Sequence, residues 1–148
     1  MKKNTGLRKF EWSDKLLSVG NSEIDHDHMK LLGVYNDLID LTESEVNRVK
    51  FAEILSKMTD YCLRHFKKEE MYMREMSYPQ LEQHLHHHRD YVYTVAMYNV
   101  DLSSANPPEP QEIITFIEKW WRKHILINDR DFERYKKETN STAVYSSF

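Results

Sequence analysis

Residues 51–73 read FAEILSKMTDYCLRHFKKEEMYM, and within them Phe51, Ile54, Leu55, Met58, Cys62, His65, Glu69 and Met73 recur at steps of three and four. That spacing puts them on one face of an α-helix and keeps them there for about six turns. A helix of this length with one apolar face needs companions of similar length to cover it. The stripe also carries two polar residues, His65 and Glu69, one turn apart in an otherwise apolar run. They raise a question of chemistry that the rest of the chain must answer.

Upstream, Ser22 reads as an N-cap with Asp25 three residues on, and it opens a helix whose stripe is Ile24, His28, Leu31, Leu32, Tyr35, Leu38 and Ile39. A polar connection over residues 42–47 separates this helix from the one carrying residues 51–73, which ends before Pro79. Pro79 suits the first turn of a third helix, with the stripe Leu81, His84, Leu85, His88, Tyr91, Val92 and Val95. Asn106, Pro107, Pro108, Glu109 and Pro110 form the one stiff linker, and from about Pro110 a fourth helix carries Ile113, Ile114, Ile117, Trp120, Trp121 and His124. Beyond Asp129 a short charged helical piece is expected over about residues 132–137, followed by a frayed Ser/Thr-rich tail over 140–148.

Short connections between long helices make antiparallel neighbours, so the expected fold is all-α, an up-down-up-down four-helix bundle. The 148 residues suit a single domain, with an N-terminal arm over 1–21, the bundle over 22–130 and the short helix and tail over 131–148. Phe10, Trp12, Leu16, Leu17 and Val19 are too apolar for a free tail; the arm is expected to pack along the bundle, bending at Gly20. Only 3 Gly and 4 Pro argue against a turn-rich sandwich or barrel. No stretch reaches the ~20 apolar residues of a membrane span. The 21 Lys and Arg against 24 Asp and Glu leave a net charge of -3, without the basic footprint of a nucleic-acid partner. Cys62 stands alone, so no intrachain disulfide is possible, and Lys2, Lys3, Arg8 and Lys9 are followed by no apolar signal segment. The expected location is cytoplasmic.

Histidine is the unusual residue, with 8 in the chain. His28, His65, His84, His88 and His124 fall on the inward stripes, whereas His26, His86 and His87 fall between stripes and are expected at the surface. One imidazole on an apolar face is ordinarily a core residue satisfied by one hydrogen bond. Five of them and Glu69 aimed at one narrow core cost ~1–3 kcal/mol apiece if left unsatisfied. Metal is the simplest partner. His65/Glu69 and His84/His88 are i,i+4 pairs, each able to grip one ion or two adjacent ions. His124 and Asp129 are five apart, and on a regular helix that turns ~500°, leaving Asp129 ~140° from His124. Asp129 joins the cluster only if the helix ends or bulges after His124, with Asn128 tolerable at such an ending; otherwise it is a solvated charge. Nitrogen and carboxylate donors without thiolate suit iron, manganese, zinc or copper rather than calcium or magnesium. The donors are too many for one tetrahedral zinc, so two metals are implied.

The motifs resemble those of the hemerythrin family, in particular its single-domain bacterial members. They are Trp12 with Val19-Gly20; Ile24-Asp25-His26-Asp27-His28; His65-Phe66-Lys67-Lys68-Glu69-Glu70; Tyr78-Pro79 followed by His84 and His88; and Trp120 followed by His124-Ile125 and Asp129, covering about residues 10–130. The resemblance implies a non-haem di-iron centre. In it His84, His88 and His124 hold one iron, His28 and His65 hold the other, and Glu69 and Asp129 bridge the two together with an oxo or hydroxo group. It thus implies that Asp129 is a ligand. One coordination position then stays open, on the iron with two imidazoles, where the family binds O2 reversibly. The implied function is carriage, storage or sensing of O2 or a similar small diatomic or anionic ligand, rather than enzymatic turnover. Reduction of O2, peroxide or nitric oxide by the same centre is the alternative, and a sensory module is another. No protein partner is implied.

Two positions depart from the family pattern. Trp121 stands three before His124, where the family usually has an aliphatic residue beside the O2 site; it is read either as lining that pocket or as core packing. Asp27 stands where glutamine is common and is read as a first-turn helix charge. Met58, Met71, Met73 and Met76 read as packing, Cys62 as a small buried apolar residue, and Tyr91, Tyr93 and Tyr98 as a half-buried helix boundary.

Overall fold

The computed structural model describes residues 9–42 and 48–146, with side chains as far as residue 139. Most of the connection expected over 42–47, and residues 1–8 of the arm, lie outside the described residues. The elements are α1 (Asp14–Leu17), α2 (Ser22–Thr42), α3 (Arg48–Glu75), α4 (Leu81–Asp101), α5 (Pro110–Lys123), a π-helical segment (His124–Asp129) and α6 (Arg130–Ser146). Helix α2 packs on α3 and α5, and α4 packs on α3 and α5, which closes the four into the bundle. Among the described residues no helix is long and apolar enough to cross a membrane.

The stripes meet as their periodicity requires. Leu31, Tyr35, Leu38 and Ile39 of α2 join Phe51, Leu55 and Met58 of α3 in one core cluster with Tyr91 and Val95 of α4 and Ile113, Ile114 and Ile117 of α5. Burying each such side chain stabilises the fold by roughly 1.5–3 kcal/mol. The apolar end of α3, from Phe51 to Cys62, anchors one half of the bundle and leaves His65 and Glu69 in the other half. A small cluster of Met73, Tyr78 and Phe132 lies beyond them.

The arm packs on the bundle, with Phe10, Leu17 and Val19 in the main core cluster, although Leu16 is exposed. Asn36 holds the Phe10 backbone at both ends: the Phe10 N–H donates to Oδ1 at 2.8 Å, and Nδ2 donates to the Phe10 carbonyl at 2.9 Å. The carboxylate of Asp25 accepts the Val19 N–H at 2.9 Å and the Ser18 hydroxyl at 2.5 Å. Gly20 takes φ +86, a left-handed conformation that only glycine adopts freely, and a Cβ there would sit 3.4 Å from Lys137 Nζ.

Several boundaries differ from expectation. The cap of α2 is Asn21, not Ser22, because Asn21 Oδ1 accepts the N–H groups of Glu23 at 3.0 Å and Ile24 at 3.2 Å. Pro79 lies in the turn before α4, which starts two residues later at Leu81. Where a short piece and a frayed tail are expected, α6 runs to Ser146, carried on by the buried Phe132 and by Tyr135, whose hydroxyl donates to the Met76 carbonyl at 3.0 Å.

Asn21 also donates through Nδ2 to the buried Glu133 at 3.2 Å, so it ties the start of α2 to α6. Asn21→Ala is expected to cost about 1–2 kcal/mol, the upper part of the range for losing an N-cap. Urea denaturation at constant slope measures it, and an unchanged midpoint would show that the cap is dispensable.

Candidate metal centre

Helix α2 brings His28 to the core, α3 brings His65 and Glu69, α4 brings His84 and His88, and the π-helical segment brings His124 and Asp129; each is at most 3% exposed. All seven candidate ligands therefore converge. The π segment resolves the geometry left open for Asp129. Its i→i+5 bonding fits more residues into a turn than the 3.6 of an α-helix, so the residue five after His124 comes round to face it. His124 Nε2 lies 3.2 Å from Asp129 Oδ2. The helix bulges there and does not end at Asn128; α5, the π segment and α6 run on as one rod.

Glu69 sits at the middle of the cluster. Its Oε1 is 2.5 Å from His65 Nε2 and 3.2 Å from His124 Nε2, and its Oε2 is 3.6 Å from His84 Nε2. Asp129 Oδ2 is 2.9 Å from His28 Nε2, and its Oδ1 is 3.4 Å from His84 Nε2. Most of these close approaches lack hydrogen-bond geometry: among the described residues Nε2 of His28, His65, His84 and His88 and both oxygens of Asp129 are buried without a hydrogen-bond partner. Buried lone pairs pointing at one another are costly unless something positive lies between them. The donors of His28, His65, Glu69, His124 and Asp129 lie within 4.8 Å of one another, as do those of Glu69, His84, His88 and His124. The two groups share Glu69 and His124, and their donors suit the binding of metal.

Two acidic groups outside the stripes orient the imidazoles. Asp27 Oδ2 accepts from His65 Nδ1 at 3.0 Å and from Lys68 Nζ at 2.9 Å, so Asp27 is no mere first-turn charge. Glu70 Oε2 accepts from His88 Nδ1 at 2.8 Å. With its proton committed to a carboxylate through Nδ1, each ring turns the lone pair of Nε2 to the centre, which is how outer partners fix metal-binding imidazoles. The sequence marked Asp27 only as a departure from the family pattern and gave Glu70 no role of its own, because each lies one step off a stripe and finds its partner on another helix. A carboxylate next to a candidate ligand on the stripe, as Asp27 is to His28 and Glu70 to Glu69, is the signal that could have marked them.

Residues 19–135 match the family described as the hemerythrin HHE cation binding domain. The chain belongs to the hemerythrin family. It is 28% identical over 127 residues to a bacteriohemerythrin of Clostridium acetobutylicum, covering 83% of this chain and 98% of that one. To a bacteriohemerythrin of Stenotrophomonas maltophilia it is 27% identical over 133 residues, covering 89% and 85%. A crystal structure of wild-type hemerythrin superposes with a TM-score of 0.78 at 22% identity over 84% of this chain and 95% of that one, a likeness of fold.

Within this hemerythrin fold the aromatic residues close round the cluster. The fully buried Trp121 ring lies 5.2 Å from that of His124 and 6.0 Å from those of His28 and His65. Phe66 stacks on His88 at 3.9 Å, and Trp120 stacks on His124 at 4.6 Å. Of the three histidines expected at the surface, His26 and His86 are exposed, but His87 is half-buried and stacks on Trp120 at 4.6 Å. Trp120 gives its ring an apolar platform that periodicity does not reveal. Tyr91 likewise lies fully buried instead of at a half-buried boundary.

The charges answer to this geometry. Burial works against the ionised Asp27, but hydrogen bonds from His65 and Lys68 outweigh it and hold the group down to about 2. Burial opposes the charged form of His65 as well, and the negative charge of Glu69 with the hydrogen bond to Asp27 overcomes it, pushing His65 up to about 10. His84 rises to about 9 against burial through Asp129 and Glu69. Burial dominates at His88 and brings it down to about 4. Without metal, the cluster takes up protons to neutralise its carboxylates.

The sign of the pH dependence follows. Raised above an ordinary imidazole value of ~6.5, His65 and His84 contribute stability that is full below that pH and lost as pH rises through about 9 and 10. The depressed His88 contributes above ~6.5 and loses its part as pH falls through about 4. Chelated protein is therefore expected to melt highest near pH 6–7 and to lose stability toward pH 10. Each kcal/mol lost lowers the melting temperature by roughly 2–4 °C at this size. The alkaline loss should shrink in Glu69→Gln, which removes the charge that does most to raise His65. Thermal scans by circular dichroism test this; a flat profile from pH 7 to 10 would contradict it.

Proposed function

We propose that the chain binds O2 reversibly, for carriage, storage or sensing, at a non-haem pair of iron ions joined by an oxo or hydroxo bridge. His84, His88 and His124 would hold one ion, His28 and His65 the other, and Glu69 and Asp129 would span both. The observation that carries this reading is the pair of donor sets overlapping at Glu69 and His124 in a buried core, where among the described residues most of the imidazole Nε2 atoms and both Asp129 oxygens have no hydrogen-bond partner. Donors that are all imidazole or carboxylate favour iron over calcium or magnesium. Such a pair supplies electrons to O2 on binding and recovers them on release.

The protein's own residues set the limits of that chemistry. Asp27 and Glu70 fix the rings of His65 and His88. Trp121 and Phe66, at 0% and 2% exposed, fill the space beside the cluster and favour a small diatomic or anionic ligand over an organic substrate. This packing supports a binding protein rather than an enzyme. Trp121 borders His28 and His65 as well as His124, so it would lie at the edge of the side with two imidazoles and line the O2 pocket.

Metal analysis with optical spectra of the reduced protein before and after air tests the reading. Two irons per chain and a new charge-transfer band that disappears under vacuum are expected; one zinc, or no metal, would overturn it. Trp121→Leu is expected to speed both O2 release and autoxidation, on the order of tenfold for a barrier change of ~1.4 kcal/mol. Unchanged rates in stopped-flow would leave Trp121 as core packing alone.

A further inference from the structure

Between α3 and α4 an open groove of about 650 Å³ reaches in from the surface toward His88. Phe66 and Tyr93 are among its aromatic lining, and Tyr93 is 69% exposed, an unusual loss for so large a ring. Lys67 and Arg89 line it from the two helices, and neither has an acidic partner within 4.0 Å among the described residues. The one carboxylate in the lining, Glu70, is already engaged by the Nδ1–H of His88. A pocket of this volume suits a small molecule rather than a protein segment. Its chemistry calls for a flat aromatic ring with an anionic tail.

The inner wall adds the function. His88 lines the groove, its Nε2 belongs to the buried donor cluster, and Phe66 stacks on its ring at 3.9 Å. A molecule seated here is therefore separated from the centre by one imidazole. A centre that loses its electrons to oxidation binds O2 again only after they are returned.

We propose that the groove binds flavin mononucleotide, with the ring against the exposed Tyr93 and Leu63 and the phosphate at Lys67 and Arg89, and that the reduced flavin returns electrons to the oxidised centre through His88. Dihydroflavin releases two electrons and two protons and leaves as oxidised flavin; one electron goes to each ferric ion and the protons go to solvent. The binding half stands on the groove alone, while the electron half rests on the di-iron reading given above.

Titration of metal-free protein with flavin mononucleotide, followed by flavin fluorescence, tests the binding half. Saturable quenching is expected, weakened about tenfold or more in the Lys67→Glu, Arg89→Glu double variant, which reverses both charges at the phosphate. Riboflavin, which has the ring without the phosphate, should bind the two proteins alike, and Tyr93→Ala should weaken both flavins. Inorganic phosphate at the same concentrations should not displace the nucleotide. Absence of saturation, displacement by phosphate alone, or equal binding of the nucleotide to the double variant overturns the assignment. For the electron half, oxidised iron-loaded protein is mixed anaerobically with photoreduced flavin mononucleotide. A reduction rate that saturates with flavin and falls at least severalfold in the double variant is expected; a rate linear in flavin and equal in both proteins overturns the route. Flavin binding to a chain that takes up no iron would defeat the di-iron reading and the electron route while leaving the groove assignment standing.

Discussion

The constraint on which the molecule depends is the placing of two buried carboxylates, Glu69 and Asp129, among five equally buried imidazoles. Lone pairs held 2.5–3.6 Å apart in a dry core repel unless protons or cations stand between them. Protons do the work in the metal-free chain, which is why His65 and His84 titrate so high. Cations do it better, because one ion satisfies several donors at once and leaves each ring neutral. The apolar half of the bundle, from Phe51 to Cys62 along α3, then reads as the counterweight: it supplies the burial that holds the polar half together.

Holding donors from four segments to a few tenths of an ångström requires long uninterrupted helices, and here the scarcity of Gly and Pro finds its physical meaning. The i,i+4 pairs His65/Glu69 and His84/His88 were legible in the sequence because a regular helix leaves them no choice of relative direction. Asp129 was not legible by the same rule. A change from i→i+4 to i→i+5 bonding is a backbone event, and it takes place only because His124 and Asp129 are both worth burying against the other helices. Periodicity alone kept two outcomes open, and the π segment is what turns Asp129 to face His124.

What escaped the sequence shares a cause. Asp27, Glu70 and His87 are each defined by a neighbour from another helix: His65, His88 and Trp120. One-helix periodicity says which way a residue faces, but only the register between helices says what it meets. The same holds for Asn21, whose cap was assigned one residue late, because a capping oxygen is recognised by the amides it reaches. The described part of the arm was legible, since Phe10, Leu17 and Val19 have no reason to be apolar unless they are covered.

The surroundings of the cluster are not symmetric, and that asymmetry bears on function. On the side of His28 and His65 the fully buried Trp121 seals the core, so anything entering there must be small and must move through transient openings of packed side chains. On the side of His88, that imidazole and Phe66 lie between the centre and an open groove lined by Lys67 and Arg89. A ligand as small as O2 does not need a permanent channel, whereas an electron donor needs proximity but no entry. On the two proposals made above, separating the routes would let Trp121 restrict oxidation from one side without hindering reduction from the other. On that reading, a pocket open to water on the His28 side would gain access at the expense of the burial that would keep the electrons in place.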